Sequence, residues 1–305
     1  MLENLKLDEL HDGFLFLAES ALNPPVLKSH RHVELELNLV VDGTISYVVR
    51  GRRFTFAKRS LVWLFPAQEH QLVDRSPDAR YYVAVFKPAM IRDACKGERY
   101  EALKRSNVKG GDVLQTVLEP ASFDLVKATM DSMMAEAPDA GLLNREAGFG
   151  ATSDFSFHHG DPDGLNASLR HLLLLCWRCH LEGKERGHAV RLHPAVLRAI
   201  ALLSESAHDE SLAALARRCG VSEAYLSRLF PRQMGISLNR YRNSVRLGKF
   251  LEIYRKPTTM TLQEAAFTAG FGSYARFYRV FSEAYGGGPR SAFRTPAMEE
   301  CKGCV

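Results

Sequence analysis

A repeated pattern in the last third of the chain constrains the fold more than any other feature. The pattern Leu-x3-Ala-x3-Gly occupies residues 212–220 and returns at residues 262–270. After each glycine, a serine is followed by apolar residues and an arginine at matching positions, in Ser222–Phe230 and again in Ser273–Phe281. A repeat of this kind indicates that one supersecondary unit occurs twice in the fold.

Each copy predicts a helix, a tight turn and a second helix. In the first copy, Leu212, Leu215 and Ala216 have the spacing of one apolar helix face. Gly220 is expected to end this helix, because glycine adopts the left-handed conformation without a steric penalty. Ser222 then has the chemistry of an N-cap for the second helix. This arrangement is a helix-turn-helix, which presents the N-terminal outer face of its second helix to the DNA major groove.

The candidate base-contacting residues are those that point outward near the start of each second helix. Both copies place an arginine six residues after the cap serine, and an arginine can donate two hydrogen bonds to a guanine edge. A helical bundle whose repeat serves packing alone is the alternative, but two copies in register favour DNA recognition. The candidates are Ala224, Tyr225, Ser227 and Arg228 in the first copy, and Tyr274, Ala275, Arg276 and Arg279 in the second.

The segment between the copies predicts one connecting helix from Ser237 to Tyr254, whose polar positions include Arg240, Arg242, Arg246 and Lys249. About seventeen helical residues span roughly 25 Å. Two recognition helices on such a spacer reach successive major-groove segments, about 34 Å apart, if the DNA bends somewhat. Pro231 is expected to end or kink the first recognition helix downstream of its contact positions.

The charge distribution agrees with contact to nucleic acid. Residues 191–305 hold seventeen Lys and Arg against nine Asp and Glu, a net charge of +8, whereas the whole chain is +5. The remaining residues, 1–190, therefore carry about −3. The basic surface is thus expected on the domain that contains the repeat, as contact with phosphates requires.

The N-terminal part predicts short β-strands from His11 to about Pro88, separated by turn signals such as Asp42-Gly43. Strands this short and evenly spaced are typical of a sandwich or small barrel. Beyond Pro88 the pattern is helical or irregular, with a loop at Gly141–Gly164 and an apolar helix at Asn166–Gly183. The predicted strands are Glu34–Val41, Thr44–Val49, Arg53–Phe56, Leu61–Phe65 and Arg80–Phe86.

Length and composition favour two domains in the cytoplasm. A chain of 305 residues is expected to form two domains. Its first residues are too polar for a secretory signal, and no apolar stretch has the length of a membrane span, so no membrane partner is expected. We therefore expect the protein to lie in the cytoplasm, where its cysteines are reduced.

The cysteines permit two sharper interpretations. Cys176-Trp177-Arg178-Cys179-His180 matches the c-type haem attachment pattern, and Cys176 and Cys179 with Cys301 and Cys304 would supply four zinc ligands. The apolar helical setting of the first pair, and the separation of the two pairs by more than a hundred residues, favour buried and incidental thiols instead.

The region from about His193 to Arg294 resembles the DNA-binding domain of the AraC/XylS family of bacterial transcription regulators. The resemblance lies in Gly-Phe-x-Ser-x3-Phe-x-Arg-x-Phe at residues 270–281 and in the closing Gly-x-Gly-Pro-x3-Phe-Arg at residues 286–294. It implies base contacts from the outward positions named above. The chain departs from the family pattern in having Pro231, Phe250, Gly288 and Phe293, none of which is a contact position.

Two N-terminal motifs resemble those of cupins. His30-x-His32-x3-Glu36-x6-Gly43 is similar to the first cupin motif, and Pro66-x3-His70 to a shortened second motif. Cupin enzymes bind a divalent metal through such a set of three histidines and one carboxylate. Regulators of the AraC/XylS family generally use the barrel for an organic effector, often a sugar, without a metal. His30, His32, Glu36 and His70 are therefore candidates for effector contact or metal binding, with Glu34 a rival carboxylate, and a purely structural role is the third alternative.

These observations predict an α+β chain of two domains, an N-terminal cupin-like β-barrel or jelly roll with helices and a C-terminal all-α double helix-turn-helix. The predicted boundaries are 1–181 for effector binding and dimerisation, 182–191 for the linker, 192–296 for DNA binding and 297–305 for the tail. The late helix Asn166–Gly183 is the candidate dimer contact, or else a core helix of the monomer.

The predicted function is that of a sequence-specific transcription regulator, not an enzyme, that senses a small molecule. Its expected partners are double-stranded promoter DNA, the effector, RNA polymerase and a second copy of the chain. No cofactor is expected unless the barrel holds a divalent metal. The alternatives are a cupin-type metalloenzyme, such as an isomerase or dioxygenase, with a DNA-binding appendage, and a constitutive architectural DNA binder. We expect an activator, although nothing in the sequence excludes repression. The sequence names neither the effector nor the target gene.

Overall fold

The computed structural model describes residues 2, 5, 7–19, 25–108, 113–136, 159–183, 189–205, 210–254 and 260–293. Within these ranges a sheet-rich N-terminal part is followed by a helical C-terminal part, which confirms the predicted fold class. Most of the predicted loop at Gly141–Gly164 and the whole predicted tail, with Cys301 and Cys304, lie outside the described residues.

The N-terminal part contains two antiparallel sheets with strand orders β1-β7-β2-β5-β8 and β6-β3-β4-β9. Within the described ranges no ladder joins the sheets, so the architecture is a jelly-roll-like sandwich and not a closed barrel. The strands are β1 (Gly13–Ala18), β2 (Leu35–Asp42), β3 (Thr44–Val49), β4 (Arg52–Ala57), β5 (Ser60–Leu64), β6 (His70–Arg75), β7 (Arg80–Phe86), β8 (Leu114–Val117) and β9 (Val190–Arg191).

Four of these strands were not among the five predicted ones: β1 and β6 lie within the region His11 to Pro88 in which short strands were expected, and β8 and β9 lie outside it. β8 lies beyond Pro88, where helical or irregular structure was expected, and pairs with β5 at the edge of the first sheet. β9 lies at the end of the predicted linker and pairs with Arg52 and Arg53 of β4. Both strands are very short, so their own residues carry too little alternation to reveal them, and the pairing partner decides their conformation.

Three α-helices accompany the sheets, α1 (Pro88–Ala94), α2 (Pro120–Ala135) and α3 (Pro162–Glu182), together with a 3-10 helix at Glu98–Lys104. α3 begins before the predicted Asn166 because the Asp161 carboxylate accepts a hydrogen bond from the Gly164 amide at 3.0 Å.

Most apolar residues of α3, including Cys176 and Cys179, are buried in the core of the N-terminal domain. Trp177 packs against Trp63 of β5 with ring centroids 5.5 Å apart. The apolar face that suggested a dimer contact is therefore used within the subunit. Because these residues are buried in the core, helix packing explains why residues 176–180 match a haem attachment motif.

The C-terminal part contains the two predicted helix-turn-helix copies. The helices are α4 (Pro194–Glu205), α5 (Leu212–Arg218), α6 (Glu223–Met234), α7 (Leu238–Tyr254), α8 (Leu262–Thr268), α9 (Tyr274–Tyr285) and α10 (Pro289–Ala292). The predicted turns and caps are confirmed. Gly220 and Gly270 have φ of +74° and +92°, and the Ser222 and Ser273 side chains accept hydrogen bonds from backbone amides of α6 and α9.

The expectation that the first recognition helix ends at Pro231 is wrong. α6 does not end at Pro231 but continues to Met234 and ends at Gly235, whose φ is +72°. Arg242 and Arg246, two of the polar positions of α7, are buried, since α7 lies between the two copies and packs on both sides. No described helix combines the length and apolar character needed to cross a bilayer.

Candidate ligand site and nucleic-acid interface

The structure brings together the four residues predicted to bind an effector or a metal. Glu36 lies on β2 of the first sheet, and His70 is the first residue of β6 in the second sheet. His30 and His32 precede β2, and the His30 backbone exchanges two hydrogen bonds with that of His70, at 3.0 and 2.8 Å. This bridge holds the two histidine-bearing segments side by side, so the site spans both sheets.

Two of the imidazoles lie against the same oxygen of the Glu36 carboxylate. His32 Nε2 lies 3.0 Å from Glu36 Oε2, and His70 Nε2 lies 3.5 Å from the same oxygen. One ring nitrogen from each of His30, His32 and His70 lies within 4.8 Å of the others. His32, His70 and Glu36 are buried, so the cluster is shielded from solvent.

The outer nitrogen of each ring is held by the backbone. A carbonyl oxygen can accept but not donate, so each Nδ1 must carry the proton of its hydrogen bond. The three rings, His30, His32 and His70, are thereby fixed in orientation. Their acceptors are the carbonyl oxygens of Lys28, Glu34 and Gln68, at 2.9, 3.1 and 2.9 Å.

The pKa shifts indicate which groups of the cluster are charged. Burial alone would raise the pKa of the Glu36 carboxyl, but hydrogen bonds from His32 and His70 hold this pKa well below its usual value. Burial lowers the pKa of His30 to about 3, and the nearby charge of His70 acts in the same direction. Asn38 donates to the second Glu36 oxygen at 2.7 Å. The site therefore presents an ionised carboxylate to imidazoles, of which His30 is neutral.

Glu34, the rival carboxylate, takes a different position. Its Oε2 lies 3.6 Å from Nδ1 of His32, on the side of the ring opposite to Glu36. Glu36 therefore faces the imidazoles of His32 and His70, and Glu34 does not share that position.

The predicted DNA-contacting residues lie within the first two turns of α6 and α9. Tyr274 and Arg276 are half-buried, and Arg276 donates a hydrogen bond from Nη2 to Asn243 of α7 at 3.2 Å. The other six are exposed, namely Ala224, Tyr225, Ser227, Arg228, Ala275 and Arg279.

One exposed residue of α9 escaped the sequence analysis. Tyr278 follows the cap serine of the second copy by five residues, as Ser227 does in the first, and its side chain is 48% exposed. A strict alignment of the two copies pairs these residues and would have found Tyr278. The second recognition helix therefore exposes Ala275, Tyr278 and Arg279 along one face.

Two family models match the chain. A helix-turn-helix domain model matches residues 215–295, and a model of the AraC-like ligand binding domain matches residues 23–146. The chain belongs to the AraC family of transcription regulators. It is a DNA-binding regulator with a ligand-binding N-terminal domain, and nothing in these comparisons supports the alternative of a metalloenzyme.

Solved structures similar to this AraC-family chain have low identity and low structural overlap. ToxT from Vibrio cholerae has 11% identity and a TM-score of 0.35, with 92% of this chain and 97% of that chain covered. Wild-type ToxT of strain SCE256 bound to an unsaturated fatty acid has 12% identity and a TM-score of 0.35, with 93% and 95% covered.

A third similar structure is the C-terminal domain of AraT, a response regulator from Geobacillus stearothermophilus. It has 28% identity and a TM-score of 0.31, with 34% of this chain and 86% of that chain covered. No curated protein matches the chain significantly. The family assignment therefore rests on the two family models.

In this AraC-family chain, the outer face of the second sheet contacts the first helix-turn-helix copy. Val48 and Val73 share one apolar cluster with residues of α4, α5, α6 and α7. Gln71, next to His70 on β6, donates hydrogen bonds to the Ser204 hydroxyl at 3.2 Å and the Tyr241 hydroxyl at 3.3 Å. Consecutive strand residues point to opposite faces, so β6 places His70 in the ligand site and Gln71 against the DNA-binding domain.

Proposed function

We propose that this chain regulates transcription by binding a promoter site through α6 and α9, under the control of a small molecule bound by His30, His32, Glu36 and His70. The observation that carries the proposal is the matched exposure of the faces of α6 and α9 that bear Arg228 and Arg279. Two such faces on one basic domain suit two adjacent major-groove segments.

Arg228 and Arg279 are the residues that we expect to contribute most to sequence preference. Both are exposed and both stand six residues after a cap serine. A guanidinium can bind the O6 and N7 atoms of guanine with two hydrogen bonds, and this geometry discriminates among base pairs. The exposed Tyr225 and Tyr278 add apolar and polar contact area beside them.

We further propose that the chain acts in the cytoplasm as a homodimer that contacts RNA polymerase at the promoter. Dimers bind operators with two half-sites, and this doubles the number of recognition helices on the DNA. We assign the histidine cluster to sensing rather than to catalysis.

Strand β6 offers a direct route from ligand site to DNA-binding domain. A ligand that moves the His70 ring also moves the backbone of the adjacent Gln71. Through its hydrogen bonds, Gln71 contacts α4 at Ser204 and the connecting helix α7 at Tyr241. Ligand binding is thereby expected to alter the position of the first helix-turn-helix copy.

Selection of binding sites from random double-stranded DNA with the full chain tests this function, followed by footprinting on the selected site. We expect protection of two adjacent major-groove segments on one face per subunit. Equal affinity for selected and unselected DNA at physiological salt would contradict sequence-specific binding. A thermal-shift screen with sugars, sugar acids and aromatic acids tests the ligand class, because a ligand that binds the folded state raises the melting temperature.

A further inference from the structure

Tyr278, on the exposed face of α9, lies against a glycine of the segment that follows the helix. α9 ends at Gly286, and Gly288 lies beside the Tyr278 ring. A Cβ atom placed on Gly288 would lie 2.9 Å from the Tyr278 hydroxyl oxygen and 3.2 Å from ring atom Cε2. Such an approach is closer than van der Waals contact allows. The tip of the ring therefore occupies the space that a side chain at position 288 would fill.

The backbone of Gly288 does not itself require glycine. Its φ is −73°, which any residue adopts, whereas Gly286 has φ +70° and ends α9 in the left-handed conformation. Gly288 is also the N-cap of α10, a position where a serine or aspartate side chain would accept a hydrogen bond that glycine cannot accept. Room for the Tyr278 ring is therefore what the missing side chain provides, at one of the positions where the chain departs from the family pattern.

Contact with Gly288 restricts the orientation of the Tyr278 side chain. An exposed tyrosine samples several staggered rotamers, and the restriction of this freedom on binding weakens affinity. Here the hydroxyl end of the ring is in contact with the glycine, while 48% of the side chain remains exposed. Among the residues that the structure describes, none is hydrogen-bonded to the Tyr278 hydroxyl. The hydroxyl is thus held in place next to Arg279 before DNA is bound.

The position of the ring favours contact with a phosphate over contact with a base edge. Residues at the N-terminal end of a recognition helix reach the base edges, and in α9 Ala275 lies there, two residues after the Ser273 cap. Tyr278 lies one turn later, and its ring is held to the side of the helix by the segment at Gly288. A side chain at the flank of such a helix meets the wall of the major groove, where tyrosine hydroxyls donate hydrogen bonds to phosphate oxygens.

We infer that Tyr278 contacts a DNA phosphate and thereby sets the position of α9 in the major groove, and that Gly288 is the residue that positions Tyr278. The inference rests on the proposed contact of α9 with DNA. Phosphate contacts fix the register and orientation of a protein on the duplex without reading sequence. The Tyr278 hydroxyl would hold α9 where Arg279 reaches its base pair. Gly288 would act only through the tyrosine.

Two variants of the full chain test the inference by DNA-binding titration on the selected site. Tyr278→Phe removes the hydroxyl, and Gly288→Ala adds the Cβ atom that displaces the ring. Each should weaken binding about threefold to tenfold, the effect of one hydrogen bond. The melting temperature should change little in both variants, because the displaced atoms are the end of a half-exposed side chain that can rotate into solvent.

Gly287→Ala is the matched control for the added methyl group. A Cβ atom on Gly287 would meet the Ser291 hydroxyl oxygen at 3.7 Å, an ordinary contact, and would leave the Tyr278 ring in place. This variant should bind DNA like the wild-type chain. A loss in Gly287→Ala as large as that in Gly288→Ala would overturn the positioning role, because the effect would then belong to the whole segment.

The double variant Tyr278→Phe, Gly288→Ala tests whether the glycine acts through the hydroxyl. It should bind no more weakly than Tyr278→Phe alone, whereas additive losses would overturn the positioning role. A phosphate contact also predicts the same fold loss on every single-base variant of the site. The dependence of affinity on salt should stay unchanged, since no charge is removed. A loss confined to one base pair would overturn the phosphate contact.

The same titrations separate this inference from the proposed function. Wild-type affinity of both Tyr278→Phe and Gly288→Ala for a site that the chain selects would overturn the inference alone. Equal affinity of the wild-type chain for all DNA would overturn the proposed function. The inference would then be supported if both variants weakened this non-specific binding, and overturned if neither did, because a phosphate contact needs no particular sequence.

Discussion

The two helix-turn-helix copies have the same local structure but different surroundings. Both turns contain a glycine with positive φ, and both recognition helices begin at a serine cap. The core of the first copy is continuous with Val26, Val48 and Val73 of the N-terminal domain. The second copy has an aromatic core of its own, in which Phe277 and Phe281 pack against Phe250 of α7.

This difference indicates that a repeated sequence unit need not have a repeated role. The position of α6 depends on the second sheet, through the shared apolar cluster and the hydrogen bond from Arg53 Nη1 to the Gln233 carbonyl at 3.4 Å. α9 is oriented by α7, through the aromatic core and the Arg276–Asn243 hydrogen bond. A ligand-dependent change in the N-terminal domain is therefore expected to reach α6 first.

The largest expected effect comes from removing one large buried side chain from the core of each copy in turn. Phe230 and Phe277 are both fully buried, so either substitution by alanine should destabilise its copy by about 3–5 kcal/mol. Phe230→Ala should increase hydrogen exchange in α4 to α6 and also in β3 and β6, because that core extends into the sheet. Phe277→Ala should increase exchange in α8 and α9. An equal increase in hydrogen exchange of β6 in both variants would contradict the difference between the copies.

The next effect concerns DNA recognition. Arg228→Ala and Arg279→Ala should each cost about 1–3 kcal/mol of specific binding free energy if the guanidinium contacts a guanine. Each variant should relax preference at its own base positions, since the copies differ in their neighbouring exposed residues. Binding to single-base variants of the selected site measures this, with Arg178→Ala on α3 as the control. Unchanged site preference in both arginine variants would show that neither residue contacts bases.

The smallest effect tests the link between the first copy and the ligand site. Gln71→Ala removes the hydrogen bonds to Ser204 and Tyr241 and should cost about 1 kcal/mol of docking free energy. Exchange should rise at the facing surfaces of α4 and α7, with α9 unaffected, and the influence of a ligand on DNA affinity should weaken. Gln115→Ala, at the edge of the first sheet, is the control. Identical ligand responses in both variants would exclude a role for Gln71 in coupling.

Much of the fold follows from short-range patterns. The glycine turns, the serine caps and most strands could be predicted because each depends on residues close together in the sequence. The prediction that α6 ends at Pro231 was wrong. The helix continues to Met234, and both Phe230 and Met234 are buried in the apolar core. The penalty of proline in a helix is about 3 kcal/mol, and tertiary packing of this size can offset it.

The candidate site was predictable in composition but not in arrangement. Motif spacing selected His30, His32, Glu36 and His70, and it left Glu34 as a rival carboxylate. The rivalry is resolved by the position of the His32 ring, whose Nε2 lies against Glu36 and whose Nδ1 lies on the side of Glu34. Tyr278 was missed because the copies were compared by their apolar and arginine positions, and not at every exposed position.

The sequence by itself determined the repeat, the position of the basic charge and the residue types of both sites, because these depend on local spacing and composition. The tertiary structure alone decided that α7 buries Arg242 and Arg246, that β9 joins the second sheet, and that the first copy shares its core with the N-terminal domain. These features arise from contacts between residues far apart in the chain. No local periodicity encodes which surfaces will meet when two domains pack.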